Sequence, residues 1–314
     1  MTISDRTIKK VCVVGAGVIG SGWASRCLAH GLDVIATDPG KGAEQVMRGH
    51  VANAWPALEQ IGLAADASPE RLSFEPDLYK AVAQADFVQE NSPEDEAVKR
   101  RVVSTIDEAA DSDVLIASSS SGLLPTRIQS DCGQPQRVLI GHPFNPVYIL
   151  PLVELVGGEK TADAALERAA RFYADIGMRP LKVRKEIAGY VSDRMQEAMF
   201  REGMRIIAEG AASTEEVDAA ITDGPGLRLA WMGPMFSFHL GAGRGGMRYH
   251  FEHYGMDQPW TDLEAPELTD ELVARMVEGT MQQQGSQTFD EWLQARDQFL
   301  IRLHALKRDL VAGY

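Results

Sequence analysis

The sequence predicts an α/β protein with a doubly wound sheet over residues 1–186 and a smaller, all-helical domain over 187–314. Three observations carry this. A glycine-rich turn follows an apolar strand near the N-terminus, apolar runs alternate with helical patterns to about residue 185, and strand candidates cease after Gly189. The first strand is Val11–Val14, and the helical pattern behind the turn runs through Trp23, Ala24, Cys27 and Leu28. A second strand, Asp33-Val34-Ile35-Ala36-Thr37, ends at Asp38. Phe87–Gln89, Val114–Ala117, Val138–Gly141 and Val153–Val156 follow as short, continuous apolar runs, the pattern of strands covered by helices on both faces. The helical stretch Ala162–Ile176 stops at Gly177, and Arg179–Val183 is the last strand. This order is the signature of a Rossmann-type fold.

The turn Gly15-Ala16-Gly17-Val18-Ile19-Gly20 points to a dinucleotide. Gly15 permits the tight turn, Gly17 lets the backbone approach a pyrophosphate, and Gly20 lets helix and strand pack closely. The helix N-terminus beyond it offers unpaired N–H groups and a positive dipole end. Asp38, at the end of the second strand, suits the ribose hydroxyls of NAD and repels the 2′-phosphate of NADP, so the cofactor expected is NAD.

Beyond Gly189 the pattern turns helical, over 190–213, 214–222, 268–284 and 288–311, with Gly/Pro-rich joints such as Asp223-Gly224-Pro225-Gly226. The methionine-rich face of the first of these helices reads as core or dimer packing. With 45% hydrophobic and 24% charged residues the chain has the composition of a soluble globule, and no apolar run reaches membrane-spanning length. Met1-Thr2-Ile3-Ser4-Asp5 has none of the character of a signal peptide. Three scattered cysteines, Cys12, Cys27 and Cys132, suit reduced thiols in the cytoplasm and neither zinc nor a disulfide framework. A net charge of −14 disfavours nucleic acid and anionic membranes. His250 and His253 are spaced i, i+3, yet no carboxylate pattern accompanies them, so no metal site is expected.

Ser118-Ser119-Ser120-Ser121-Gly122-Leu123, Gly141-His142-Pro143-Phe144-Asn145-Pro146-Val147 and Leu152-Val153-Glu154-Leu155-Val156 together resemble the 3-hydroxyacyl-CoA dehydrogenase superfamily, and the likeness extends over nearly the whole chain. The resemblance implies NAD-linked oxidation of a 3-hydroxyl group. It assigns His142 as general base, Glu154 as the residue that orients it, and Ser121, with Ser119 second, to the substrate hydroxyl. It places Asn145 at the nicotinamide end of the cofactor and makes Glu94 and Lys99 cofactor contacts. A homodimer through the helical domain is implied as well. The chemistry agrees: hydride loss from a secondary alcohol requires a base of near-neutral pKa, and a carboxylate fixes its second nitrogen.

Two departures bear on the substrate. The superfamily's GFxxNR pattern is here Gly189-Tyr190-Val191-Ser192-Asp193-Arg194, with Asp193 in place of asparagine. This carboxylate suits a cation or, equally, a neighbouring arginine. The stretch Gly49–Pro69, where a lysine-rich segment would hold the nucleotide of CoA, contains neither Lys nor Arg. The missing lysines argue against a CoA thioester and favour a small, free hydroxy acid. Trp55–Glu59, Gln89–Glu94, Gly226–Pro234, Gly245–Arg248 and Pro266–Thr269 resemble the branch that oxidises L-carnitine. Such a substrate needs aromatic faces for its trimethylammonium group, for which Trp231, Phe236, Phe238 and Tyr249 are candidates. It also needs a cation for its carboxylate, for which Arg228, Arg244 and Arg248 are candidates. Another 3-hydroxy acid, such as L-gulonate or a 3-hydroxyacyl-CoA, and a non-catalytic, crystallin-like NAD-binding role stay open as alternatives.

Overall fold

A computed structural model describes residues 7–254 and 269–310. Residues 1–6 and Pro266-Glu267-Leu268, singled out above, lie outside the described residues. The chain divides into two compact units, Met1–Gln196 and Glu197–Tyr314.

Among its described residues the first unit holds eight strands: β1 Lys10–Val14, β2 Asp33–Thr37, β3 Leu72–Phe74, β4 Phe87–Glu90, β5 Leu115–Ser118, β6 Val138–Pro143, β7 Leu152–Gly157 and β8 Arg179–Val183. They form one sheet in the order β3-β2-β1-β4-β5-β6-β7-β8. Helices α1 Val18–Ala29, α2 Ala43–Ile61, α3 Leu78–Val82, α4 Glu96–Ala109, α5 Pro125–Ile128 and α6 Asp163–Asp175 connect them. All neighbouring strands are parallel except β6 and β7, which pair antiparallel. Alternate residues of β1 feed different cores: Val11 and Val13 pack with Trp23, Leu28 and Tyr173, whereas Cys12 and Val14 pack with Val88, Val103 and Ile116. Burial on both faces is why the strand reads as a continuous apolar run. Strand β3 escaped the sequence pattern because it is a three-residue edge strand with an exposed serine at its centre.

The helix α7 Ser192–Ala208 spans the division between the units. The second unit continues with α8 Thr214–Thr222, α9 Pro225–Gly241, α10 Gly246–His253, α11 Asp270–Gln284 and α12 Phe289–Leu310. Its described residues contain no strand. A capping box of Ser213 and Glu216 starts α8. Gly233, at φ 68°, and Pro234 kink α9. No described helix is long and apolar enough to cross a membrane.

Candidate active site

The glycine turn is built as its spacing requires. Gly15 sits at φ +97°, and a Cβ there would lie 2.7 Å from the carbonyl oxygen of Asn91. A Cβ on Gly20 would come within 2.0 Å of the Gly15 carbonyl oxygen. Gly17 differs, since a Cβ there meets nothing within 4 Å. Its bareness serves nothing inside the protein and leaves the backbone open to an incoming group. No side chain caps α1, and its first turn carries no acid, so the orphan N–H groups and the dipole remain available to a pyrophosphate. Asp38 Oδ2 accepts from the Ala16 amide at 2.8 Å and Oδ1 from the Gly40 amide at 2.7 Å. A carboxylate has about four lone-pair sites, so both oxygens can still accept from ribose hydroxyls. Val18 and Ile19 supply the first turn of α1.

The reacting end is set by the one antiparallel pairing. In the β6–β7 register His142 stands directly opposite Glu154, and opposite residues in such a pair project from the same face. Strand β6 continues through His142 to Pro143, beyond the Gly141 end expected from sequence. The imidazole is therefore held by the sheet. Its Nδ1 lies 3.0 Å from Glu154 Oε2. Glu154 Oε1 accepts from the amides of Val191 and Ser192 at 3.1 and 3.0 Å and from Ser192 Oγ at 3.2 Å. Burial pushes the Glu154 pKa up, but the hydrogen bonds from His142, Ser192 and Val191 outweigh it and hold the carboxyl below its usual range. An ionised Glu154 fixes the tautomer with hydrogen on Nδ1, leaving Nε2 as the free lone pair. The rings of Phe144 and Tyr190 flank the imidazole at 4.8 and 5.5 Å. Tyr190 is fully buried at φ 45°, and its hydroxyl donates to the Leu123 carbonyl at 2.7 Å. Asp193 approaches from the opposite side, its Oδ2 3.7 Å from Nε2.

The serines divide by partner. Ser119 Oγ accepts from Trp23 Nε1 at 3.0 Å and Gln89 Nε2 at 2.8 Å, and donates to Asn91 Oδ1 at 2.7 Å. One hydrogen and two lone pairs are thereby used, leaving nothing for a substrate. Ser119 fixes the protein interior. Ser121 donates its amide to Glu94 Oε1 at 3.1 Å, and its hydroxyl takes no partner among the described residues. Glu94 Oε1 also accepts from Ser120 Oγ at 2.6 Å and the Gly122 amide at 3.1 Å, and Oε2 lies 3.7 Å from Lys99 Nζ. The buried ammonium of Lys99 is held by both oxygens of Glu90 at 3.2 Å and by the Ser92 carbonyl at 2.9 Å. Lys99 thus reaches the site by way of Glu94. Asn145 is exposed in the loop after β6, its side chain unengaged by any described residue.

Residues 10–187 match the model of the 3-hydroxyacyl-CoA dehydrogenase NAD-binding domain, and residues 189–289 match the C-terminal domain of the same family. The chain belongs to the 3-hydroxyacyl-CoA dehydrogenase family. It is therefore an NAD-dependent dehydrogenase of a hydroxyl group. An L-carnitine dehydrogenase of Bacillus cereus is 54% identical over 303 residues, covering 96% of this chain and 93% of that protein. An L-carnitine dehydrogenase of Burkholderia mallei is 49% identical over 300 residues, 95% and 94% of the two chains. Among solved structures, the NAD+-dependent dismutase FHMPC 5-dehydrogenase superposes with a TM-score of 0.74 at 27% identity, covering 96% of this chain and 99% of that one.

The other candidates of this family member stand on the second unit. Trp231 packs against Trp292 and Phe299, with ring centroids 5.3 and 6.0 Å away, and Phe236 is buried against Trp292 at 4.9 Å. These two rings build that unit's own core. Phe238 and Tyr249 are exposed, each beside a histidine ring: His250 at 5.2 Å and His253 at 3.7 Å. Arg244 pairs with Asp290 at 2.7 Å on the surface, while Arg228 and Arg248 are exposed without a described partner. Four participants escaped the sequence reading: Glu90, Ser120 and the amides of Val191 and Ser192. The first had a signal, an acidic residue at the C-terminal end of an apolar strand, where such sheets bind ligands.

Proposed function

We propose that this chain oxidises the 3-hydroxyl of L-carnitine to the ketone with NAD as acceptor, His142 serving as general base, Glu154 as its orienter and Ser121 as a contact of the substrate hydroxyl. The observation that carries the catalytic assignment is the opposition of His142 and Glu154 across β6 and β7, which leaves Nε2 free at the C-terminal edge of β6. The substrate assignment rests on the relatives named L-carnitine dehydrogenase and on the missing lysines of Gly49–Pro69. NAD, when bound, supplies the acceptor for the hydride of the carbinol carbon. The protein does the rest. Nε2 takes the hydroxyl proton as the C–H bond breaks, and ionised Glu154 stabilises the imidazolium that forms. The flanking rings of Phe144 and Tyr190 keep water from the imidazole. Gly15 to Gly20 with Asp38 would hold the dinucleotide, Asn145 its nicotinamide end, and Glu94, backed by Lys99, the rim between cofactor and substrate.

The domain over 187–314 is assigned substrate closure and dimerisation. A homodimer is supported by the exposed apolar stripe of α7, where Met195, Met199 and Phe200 are 50%, 50% and 63% exposed. A cytoplasmic location is supported by three free cysteines. The test mixes purified protein and NAD with L-carnitine, D-carnitine, L-gulonate, 3-hydroxybutyrate and 3-hydroxybutyryl-CoA while NADH absorbance is followed. L-Carnitine is expected to give the fastest turnover, and silence with L-carnitine beside activity on another substrate rejects the assignment.

A further inference from the structure

Asp193 is a charged side chain at the reacting histidine that the chemistry above leaves without a task. It is the second residue of α7, and its Oδ2 lies 3.7 Å from His142 Nε2, the nitrogen that Glu154 leaves free. Its Oδ1 accepts from Gln196 Nε2 at 3.1 Å. The side chain is 34% exposed, so it borders open space. Its ionised form is held there at a cost: burial first, then Glu154 and Glu94, raise its pKa against the pull of His142. The imidazole already has its orienter in Glu154. A carboxylate kept under such opposition calls for a cation brought from outside.

The geometry points to Asp193 as the counter-ion of a substrate ammonium group borne on the carbon next to the carbinol carbon. This rests on the L-carnitine reading above. A hydroxyl bound to Nε2 stands about 2.8 Å from it. In carnitine the quaternary nitrogen is about 3–4 Å from that oxygen, set by ordinary bond lengths and staggered torsions. The cation therefore falls within about 7 Å of Nε2 by these distances. The Asp193 carboxylate, 3.7 Å from the same atom, lies inside that sphere. A methylated nitrogen donates no hydrogen bond, so it requires negative potential at close range and no particular lone-pair direction. The surroundings add to that potential. Glu90, Glu94, Glu154 and Asp193 gather here, while Lys99 is the lysine among them and is sequestered by Glu90.

The test compares L-carnitine with its neutral carbon isostere, 3-hydroxy-5,5-dimethylhexanoate, in the wild type, Asp193→Asn and Asp193→Glu. The wild type is expected to prefer carnitine in kcat/KM by about ten- to a hundredfold, a pair attraction discounted for partial exposure. In Asp193→Asn that ratio falls to within about threefold of unity, through a raised KM for carnitine, while the isostere is left nearly untouched. Asp193→Glu keeps part of the preference. NAD titration by protein fluorescence verifies folding in each variant, and if Asp193→Asn does not bind NAD, Asp193→Glu carries the comparison. Equal losses on both substrates, or a common shift in the pH midpoint of kcat, overturn the counter-ion role and make Asp193 a residue acting through His142. A wild type that turns over another 3-hydroxy acid but not L-carnitine overturns the underlying reading, and this inference with it.

Discussion

Replacing Glu154 by glutamine takes one charge and one acceptor from a carboxylate that serves four donors: His142 Nδ1, the amides of Val191 and Ser192, and Ser192 Oγ. The amide has one oxygen, so one set of donors must face an NH2. Turning that NH2 toward the two backbone amides would leave buried N–H groups unpaired, at about 1–3 kcal/mol each. Turning it toward His142 forfeits one charge-assisted hydrogen bond, about 1.5–3 kcal/mol, and is the arrangement expected. The imidazole must then accept at Nδ1 and carry its hydrogen on Nε2, which removes the lone pair proposed to act as base. In Glu154→Gln, kcat is expected to fall roughly a thousand- to ten-thousandfold, about 4–5.5 kcal/mol of barrier, the scale of the corresponding change in a serine-protease triad. NAD affinity should change little, since the glycine turn is built from β1 and α1. The variant also reports on stability. Glu154 has a lowered pKa in the fold, so its contribution is fully present above the ordinary value of 4.5 and is lost as pH falls through the lowered one. The Tm gap between wild type and variant should therefore be full at pH 7 and shrink below pH 4.5. Steady-state NADH formation at saturating L-carnitine and NAD is the assay. A kcat within tenfold of wild type, in a variant that binds NAD, would refute the role given to the dyad.

The other predictions use the same protein. Gly17→Ala should fold with wild-type Tm and lose NAD affinity by at least about tenfold, whereas Gly20→Ala, whose Cβ meets the Gly15 carbonyl oxygen at 2.0 Å, should lose several degrees of Tm. Calorimetric melts and NAD titration separate the two. Asp38→Ala should cut the kcat/KM preference for NAD over NADP by about tenfold or more, because the carboxylate that repels a 2′-phosphate is gone. Asp193 has a raised pKa in the fold, chiefly from burial, so its ionised form opposes folding at neutral pH and the opposition disappears below the unfolded value of 3.8. Asp193→Asn should accordingly melt higher than wild type at pH 7, with a gap that narrows as pH is lowered toward 4; a lower Tm at pH 7 contradicts the electrostatics described.

Local features were legible in the sequence wherever a short run of residues determines the outcome. The glycine turn, the apolar strands and the stop of α6 at Gly177, here at φ +72°, depend on neighbours within a few positions. His142 and Glu154 were legible as a pair through the family resemblance that their two motifs carry, and the structure sets them 3.0 Å apart. The partners of Glu154 at the entry to α7, Val191 and Ser192, lie 37 and 38 residues further along, and periodicity says nothing about such a meeting. The same holds for Ser119. Its hydroxyl is saturated by Trp23, 96 residues earlier in the chain, and by Gln89 and Asn91. A serine that looks free in a polar run is in fact part of the interior. Lys99, expected from the resemblance as a cofactor contact, is instead buried against Glu90, which only the fold brings to it. Trp231 and Phe236 illustrate the limit of composition: aromatic content announces large apolar area, but only packing decides whether a ring meets a ligand or another ring.

The antiparallel pairing of β6 with β7 has a consequence for how this enzyme can change over evolutionary time. The ladder from Leu139↔Gly157 to Pro143↔Val153 fixes which side chains face each other, so the register of the two strands sets the pairing of His142 with Glu154. Inserting or deleting one residue within either strand would turn Glu154 to the opposite side of the sheet and part the acid from its histidine in a single step. On the roles proposed for His142 and Glu154, an insertion or deletion within either strand should therefore abolish activity. Under that proposal, one slipped residue separates the paired arrangement of His142 and Glu154 from its loss.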